Sequence, residues 1–583
     1  MDVAQPKSKE DEGARGNWWR TPWATLLEQR EEQVFLVLTL LIGALVGLAV
    51  VAFIVLTEHI GVRFYPEGVS AWRRLLVPLT GSLVIGYLLY RYFPDARGSG
   101  VPQTKAALFA RDGRITLATV VGKFSCTSAT LASGIPLGRE GPSVQVGAGI
   151  ASVLGRKLGL RPEKVKTLLP VGAAAAVAAA FNTPLAAVLF ALEEVMGDLH
   201  APVLGSVVLA SATSWAMLRL LLGNNPLFQT PQYQLVHPLE FLIYAVLGIS
   251  GGFLSVAFTK LLLRIRASFL RLPRRGRAWH PAVGGLVVGV MGWFVPQVLG
   301  VGYTHVGHAL NGELALRLML LLLVLKFFAI IASYASGNAG GIFGPSLFLG
   351  AMLGGVIGSL AHRALPAYTA NSGAYALVGM GAAFAGIVRA PMTSVLMIFE
   401  MTRDYTVIVP LMISNLMSLY ISSRLQPEPI YEALAHQDGI HLPTIKTRRE
   451  LGQRKVLQAM KAVTQTLPAD MSVRTALEVT RTNPSRSWLV MDQTEVAGVV
   501  SRTRIEQAAA ENSGEKRLVD LVDILEFPHV HTDHALHLAL ERMSAAHLDL
   551  LPVVSRADVH KLEGIVTLRD VLDAYGVDSA GSA

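Results

Sequence analysis

From Val34 to about Ser423 the chain is a succession of apolar stretches long enough to cross a bilayer, and beyond that point they stop. About 20 apolar residues suffice for one helical crossing, and runs such as Val34–Leu56 and Leu75–Tyr92 read as spans. Composition agrees, since 52% of the 583 residues are hydrophobic and 16% are charged, where a soluble protein carries about a quarter charged residues. The chain therefore divides into a polytopic membrane domain and a soluble C-terminal region. No signal peptide is visible, because the first thirty or so residues are polar and lack a short apolar core before a cleavage site. Within that lead, Trp18, Trp19 and Trp23 with Leu26 and Leu27 suit an interfacial helix. The single cysteine, Cys126, lies in an apolar span, which excludes a disulfide within the chain and argues against a thiolate metal site. The net charge of +9 gathers at Arg264, Arg266, Arg271, Arg274, Arg275 and Arg277. Basic loops of that kind stay cytoplasmic, and this accounts for the run without nucleic-acid binding.

Inside the apolar region, Gly138-Arg139-Glu140-Gly141-Pro142 places two ionisable residues between Thr116–Leu137 and Ser143–Leu158. Charge at that depth is costly and marks a candidate for function. The glycines permit close backbone approach, and proline just after them suits the first turn of a new helix. A helix N-terminus there aims free N–H groups and the positive end of its dipole at an anion. Glu140 fits two roles equally: an acidic N-terminal cap, or an anion that occupies the place of a transported one. Gly98-Ser99-Gly100-Val101-Pro102 is a second Gly/Pro-punctuated break.

The plan repeats. Gly138-x-x-Gly141-Pro142-Ser143-x-x-x-Gly147-Ala148 recurs as Gly341-x-x-Gly344-Pro345-Ser346-x-x-x-Gly350-Ala351. Val171-Gly172 recurs as Val378-Gly379, and Pro184, Val188, Leu189 and Glu193 recur as Pro391, Val395, Leu396 and Glu400. Broken segments at matching places in two halves are the sequence mark of a transporter-like repeat with a midplane site. Glu193, matched by Glu400, reads as structural, through helix packing or ion pairing. Lys123 and Lys326 read as snorkelling or paired cations, since a free cation in an anion path would trap the substrate.

These motifs, with Tyr431 after the last span, resemble the chloride channel/transporter (CLC) family over roughly Val34 to Tyr431. The resemblance implies an all-α polytopic membrane protein, a CLC-type inverted repeat of broken helices, forming a homodimer with one anion pathway per subunit. It implies that Ser99 and Tyr431 offer hydroxyls to a central dehydrated anion and that the backbone N–H groups of Ile342 and Phe343 complete the site. Glu140 would be the gating glutamate, and Glu194 the inner proton-accepting glutamate of the family's exchangers. Serine at position 99 goes with chloride, where proline goes with nitrate in some members; Ser99 would also cap the next helix. The chemistry agrees, because N–H and O–H donors hold a halide without the full positive charge that would trap it. A buried carboxyl drawn towards neutrality can alternate between plugging the path as an anion and leaving it protonated.

From about Pro427 charges rise and apolar runs shorten, and then Val456–Tyr575 repeats internally. Ala476-Leu477-Glu478 answers Ala539-Leu540-Glu541, and Gly498–Ser501 answers Gly564–Thr567. Short strands at Trp488–Met491 and Leu550–Val554 alternate with amphipathic helices. This resembles a C-terminal α/β tandem of CBS domains, which implies an adenine nucleotide held by Thr567 and Asp570, the aspartate on ribose hydroxyls. Arg504 stands at the aspartate's place in the first copy, and a purely dimerising role stands beside ligand binding. The expected layout is a cytoplasmic lead (1–32), a membrane domain (33–433, repeats of about 33–222 and 240–433), a linker (434–454), the CBS pair (455–577) and a tail (578–583).

The expected function is transport of chloride as a proton-coupled Cl−/H+ antiporter gated by Glu140, with chloride, proton and the lipid bilayer as partners and no required cofactor. The alternative is a passive voltage- or pH-gated chloride channel of the same fold. The family's channels replace the glutamate at position 194 with an uncharged residue, so its presence argues for exchange. A cation transporter would need several carboxylates converging in the spans, where only isolated ones stand, and no nucleophile–base set or metal cluster suggests an enzyme. The expected place is the cell (inner) membrane, with N-terminus and CBS region cytoplasmic.

Overall fold

The structure, a computed structural model, describes residues 31–575 apart from 67, 200–201, 224–226, 229–230, 232, 234, 274–275, 441, 443–453, 465, 482, 484, 512–513 and 524–526. The interfacial helix expected around Trp18 and the basic residues Arg274 and Arg275 fall outside the described residues. The chain forms two compact units, divided between Leu442 and Pro443.

The first unit is helical, and its two halves share one order of elements. The first half holds α1 (Glu31–Phe64), α2 (Ala71–Arg91), α3 (Val101–Ala110), α4 (Leu117–Ala132), α5 (Glu140–Lys157), α6 (Pro162–Phe181), α7 (Pro184–Phe190) and α8 (Leu204–Leu222). The second holds α9 (Glu240–Arg271), α10 (His280–Phe294), α11 (Tyr303–Leu310), α12 (Leu316–Ala335), α13 (Phe343–Ala364), α14 (Ser372–Ile387), α15 (Pro391–Thr402) and α16 (Ile408–Leu425). A last helix, α17 (Ile430–Gln437), follows without a counterpart in the first half. Among the described residues, 7 helices are long and apolar enough to cross a membrane. Others, such as α3, α7 and α11, are too short to do so and end inside the unit, where glycine and proline break the chain.

Local chemistry sets the boundaries. Pro162, Pro184 and Pro391 open α6, α7 and α15 in the first turn, where the missing N–H costs nothing. Thr116 and Asn371 cap α4 and α14 by accepting from the backbone N–H three residues on. The repeated glycines bring helix backbones together. A Cβ on Gly147 would stand 2.3 Å from Gly172 O, and a Cβ on Gly350 2.2 Å from Gly379 O, so α5–α6 and α13–α14 are the same close contact made twice. The core of the unit is continuous through both halves, with α6 and α14 buried along nearly all their length.

The second unit holds two small α/β copies with separate cores. In the first, β1 (Thr466–Pro468) runs parallel to β2 (Ser487–Asp492), which pairs antiparallel with β3 (Glu495–Ser501). In the second, β4 (Leu550–Val554) pairs antiparallel with β5 (Leu562–Thr567). The repeated alanines, Ala476 on α18 (Val473–Arg481) and Ala539 on α20 (Leu536–Ala546), are both fully buried. Each copy then closes in the same way. Ser501 ends β3 and caps α19 (Arg502–Ala510), and Thr567 ends β5 and caps α21 (Leu568–Ala574). The segment before β1 belongs structurally to the other copy, since Val456 N donates to His534 O at 2.9 Å and Lys461 N to Ile565 O at 2.9 Å.

Candidate functional site

The two glycine motifs of the repeat meet. Gly138 N donates to Gly341 O at 2.8 Å and Gly341 N to Gly138 O at 2.7 Å, an antiparallel and reciprocal pairing of the kind a two-fold axis between the halves produces. From this pair α5 begins at Glu140 and α13 at Phe343. The third break joins them. Gly100 takes φ +107°, and a Cβ there would lie 2.2 Å from Gly141 O; a Cβ on Gly141 would lie 2.6 Å from Ser99 O. Three helix N-termini thus open on one place, each with its first N–H groups unused by its own helix.

The expected anion ligands line that place. Ser99, Ile342, Phe343 and Tyr431 are completely buried. Among the described residues, Ser99 Oγ and Tyr431 Oη meet no hydrogen-bonding group other than each other. The backbone N–H groups of Ile342 and Phe343 donate to no described group. A buried donor without a partner costs about 1–3 kcal/mol, so two free N–H groups beside two hydroxyls that have only each other fit an anion that accepts from all of them. The Phe343 ring packs among Phe181, Phe190 and Phe384 at centroid distances of 4.8, 5.5 and 4.4 Å, which fixes the start of α13. Tyr431 stands on α17, which packs against α3, the helix that Ser99 precedes, and its neighbour Glu432 reaches the Lys105 that pairs with Glu194.

Glu140 is fully buried. Its Oε1 accepts from the Tyr303 hydroxyl and its Oε2 from Gly344 N at 3.2 Å, so the carboxylate of one half sits at the helix N-terminus of the other. Glu194 lies in a π-helical turn, Ala191–Met196, that continues α7. Such turns often occur where function requires a side chain to be re-aimed. Glu194 is only 6% exposed and pairs with Lys105 Nζ at 2.9 Å. Lys105 also reaches Glu432, the neighbour of Tyr431, at 3.7 Å. The apolar helix α3 carries Lys105 in its second turn, and an ionisable residue there was the available signal for it.

Two half-buried glutamates and two fully buried lysines serve the structure. Glu193 accepts from Met392 N at 3.3 Å and from Thr393 N at 2.8 Å, capping α15, while Glu400 accepts from Leu185 N at 3.0 Å and Ala186 N at 2.7 Å, capping α7. Their shared role is reciprocal helix capping rather than ion pairing. Lys123 and Lys326 neither snorkel nor pair with a described carboxylate. Lys123 Nζ donates to Ala96 O and Gly98 O at 3.0 and 2.5 Å, and Lys326 Nζ to Gly300 O and Val301 O, both at 2.8 Å. Each holds the Gly-x-Gly loop that precedes a short helix in its own half.

In the second unit, Thr567 and Asp570 form a capping box. Asp570 N donates to Thr567 Oγ1 at 3.2 Å, and Asp570 Oδ2 accepts from Thr567 N at 3.1 Å and Thr567 Oγ1 at 2.6 Å. Lys461 pairs with the other oxygen. Burial pulls the Asp570 carboxyl upward, but the hydrogen bonds from Lys461 and Thr567 outweigh it and hold the group below the usual carboxylate range. Arg504 occupies the matching place after Ser501 and cannot return such a bond.

The family model for voltage gated chloride channels matches residues 81–423, more than half of the chain. The chain belongs to the CLC family. Members of that family transport ions, and this CLC protein is a membrane protein and not an enzyme. A CBS domain matches residues 522–576, the second of the two α/β copies. The CLC chain is 32% identical over 416 residues to the H(+)/Cl(-) exchange transporter ClcA of Vibrio campbellii, covering 68% of this chain and 88% of that one. It is 34% identical over 380 residues to a ClcB-like chloride channel protein of Ralstonia nicotianae, covering 64% and 88%. Among solved structures, a slow cyanobacterial Cl−/H+ antiporter superposes with a TM-score of 0.64 at 26% identity, covering 69% of this chain and 97% of that one. A eukaryotic CLC transporter superposes with a TM-score of 0.60 over 92% of this chain and 97% of that one; at 20% identity this likeness speaks for the fold alone.

Proposed function

We propose that the protein is a proton-coupled chloride exchanger in which Glu140 is the gate. The observation that carries the reading is the seat of the Glu140 carboxylate. It is held by Gly344 N–H at the start of α13, beside the undonated N–H groups of Ile342 and Phe343. A carboxylate and a chloride would compete for such a helix N-terminus. A proton on Glu140 removes the charge that holds it there and frees the place for the anion. Ser99, Tyr431 and the two N–H groups would bind the dehydrated chloride further in, and Glu194 would relay the proton to the opposite side. Exchange is also what the ClcA relative and the cyanobacterial neighbour are named for. The passive channel is favoured by one observation, the Lys105–Glu194 ion pair, which must open before Glu194 can take a proton.

The test is the reversal potential of purified protein in planar bilayers under a chloride gradient, with and without an opposing pH gradient. An exchanger reverses away from the chloride Nernst value and moves with pH. A potential that equals the chloride value and ignores pH would make the protein a channel.

The reading includes a homodimer in the inner membrane with the CBS pair in the cytoplasm. It also includes an adenine nucleotide at Thr567 and Asp570, where ribose hydroxyls would take the place of the exposed Lys461 ammonium. Adenine nucleotides at 100 times their dissociation constant should stabilise the second unit by about 2.7 kcal/mol. That is read as a rise in melting temperature, and Asp570→Ala should remove most of it. No rise with any adenine nucleotide would leave the pair as a dimerising element.

A further inference from the structure

The structure assigns Tyr303 as the positioning residue for the Glu140 carboxylate: its hydroxyl sets how firmly the gate holds the anion path. This inference rests on the reading of Glu140 as the group that competes with chloride. The Tyr303 hydroxyl donates to Glu140 Oε1, opposite the Gly344 N–H that donates to Oε2, so each carboxylate oxygen has one neutral donor. No motif of the repeat marks Tyr303, and no expected site residue lies on its helix.

The donor is aimed by its surroundings. Tyr303 is the first residue of α11, directly after Gly302, which takes φ +90°. Lys326 Nζ anchors the preceding loop through the Gly300 and Val301 carbonyls at 2.8 Å each, and stands 4.0 Å from the Phe348 ring. A Cβ on Gly302 would come 2.3 Å from that ammonium, so the loop is closed around it. The phenol ring is held from two sides. Phe228 meets it edge-on with centroids 6.0 Å apart, and the Arg139 guanidinium lies 5.7 Å from its centroid. Arg139 in turn reaches Glu58 Oε1 at 3.5 Å. On the far side, a Cβ on Gly344 would stand 2.7 Å from Tyr303 Oη and 3.0 Å from Glu140 Oε2, so a side chain there would crowd the place where hydroxyl and carboxylate meet.

The chemistry suits a latch that must release. A hydrogen bond to a charged group is stronger than one between neutral groups, so the phenol holds the carboxylate more tightly than it holds the protonated acid. Being uncharged, it adds no Coulomb attraction of the kind a lysine or arginine would. Removing the hydroxyl therefore weakens the plug and leaves the pathway's own ligands in place.

Chloride binding to the purified full-length protein, measured by titration calorimetry with sodium chloride, separates this role from a structural one. Tyr303→Phe keeps the ring between Phe228 and Arg139 and deletes only the donor. In the wild-type background it should tighten chloride binding about tenfold. In a Glu140→Ala background, where no carboxylate remains to be held, the same substitution should change it less than about twofold. An equal shift in both backgrounds, or no shift in the wild-type background, overturns the latch. Glu140→Ala that itself binds chloride no more tightly than wild type overturns the reading of Glu140 as competitor, and the latch with it.

Discussion

Glu140→Ala is expected to carry chloride at least as fast as the wild type while its proton transport falls to background. The fully buried carboxylate sits where α5 and α13 begin, and its two acceptor bonds come from the other half of the protein. In an exchanger this side chain is both plug and proton carrier, so truncation removes the obstruction and the coupling together. Backbone damage is not expected, because the Gly138–Gly341 pairing that sets the geometry uses main-chain atoms only. The check is simultaneous recording of chloride and proton flux from reconstituted vesicles. Uphill proton movement driven by chloride in the variant would show that Glu140 is not the gate.

Glu194→Gln is expected to stop proton transport while chloride still passes. Here the ion pair decides what else the substitution does. Breaking a fully buried pair by removing one partner can cost about 3–5 kcal/mol, because a charge is left without compensation. Lys105 keeps Glu432 at 3.7 Å, so the loss should be smaller and the protein should fold. Lys105→Met with Glu194→Gln and Glu432→Gln removes all three charges of the cluster and is the control for stability: if the single variant is inactive through misfolding, the triple variant regains chloride flux. Proton transport persisting in a folded Glu194→Gln protein would move the inner proton step to another residue.

The broken helices and their repetition are legible in the sequence because glycine and proline act through the backbone they belong to. Gly100, Gly141 and Gly344 each stand where a Cβ would strike a neighbouring motif, and proline opens the helix at each break, so motif and geometry coincide. Side-chain partners are another matter. Lys105 meets Glu194 across 89 residues and Tyr303 meets Glu140 across 163, and no spacing rule connects such pairs. The buried lysines show the same limit. An ammonium in an apolar span announces that it needs acceptors, yet backbone carbonyls of a loop some 25 residues away carry no signature of their own. Asp570 was legible as a residue with a role, but a strand-end Thr-x-x-Asp serves helix capping as readily as ligand binding.

The exchange of caps between Glu193 and Glu400 bears on how such a protein arose. Each of the helices α7 and α15 starts with N–H groups that a glutamate of the other half satisfies. A shorter ancestor holding one copy of the plan would have carried one such glutamate and one such needy helix end. Two of those chains, meeting about a two-fold axis, would have completed each other by the same handshake. In the present chain that handshake runs both ways within one polypeptide, so each half supplies the start of a helix in the other and neither is furnished to stand alone.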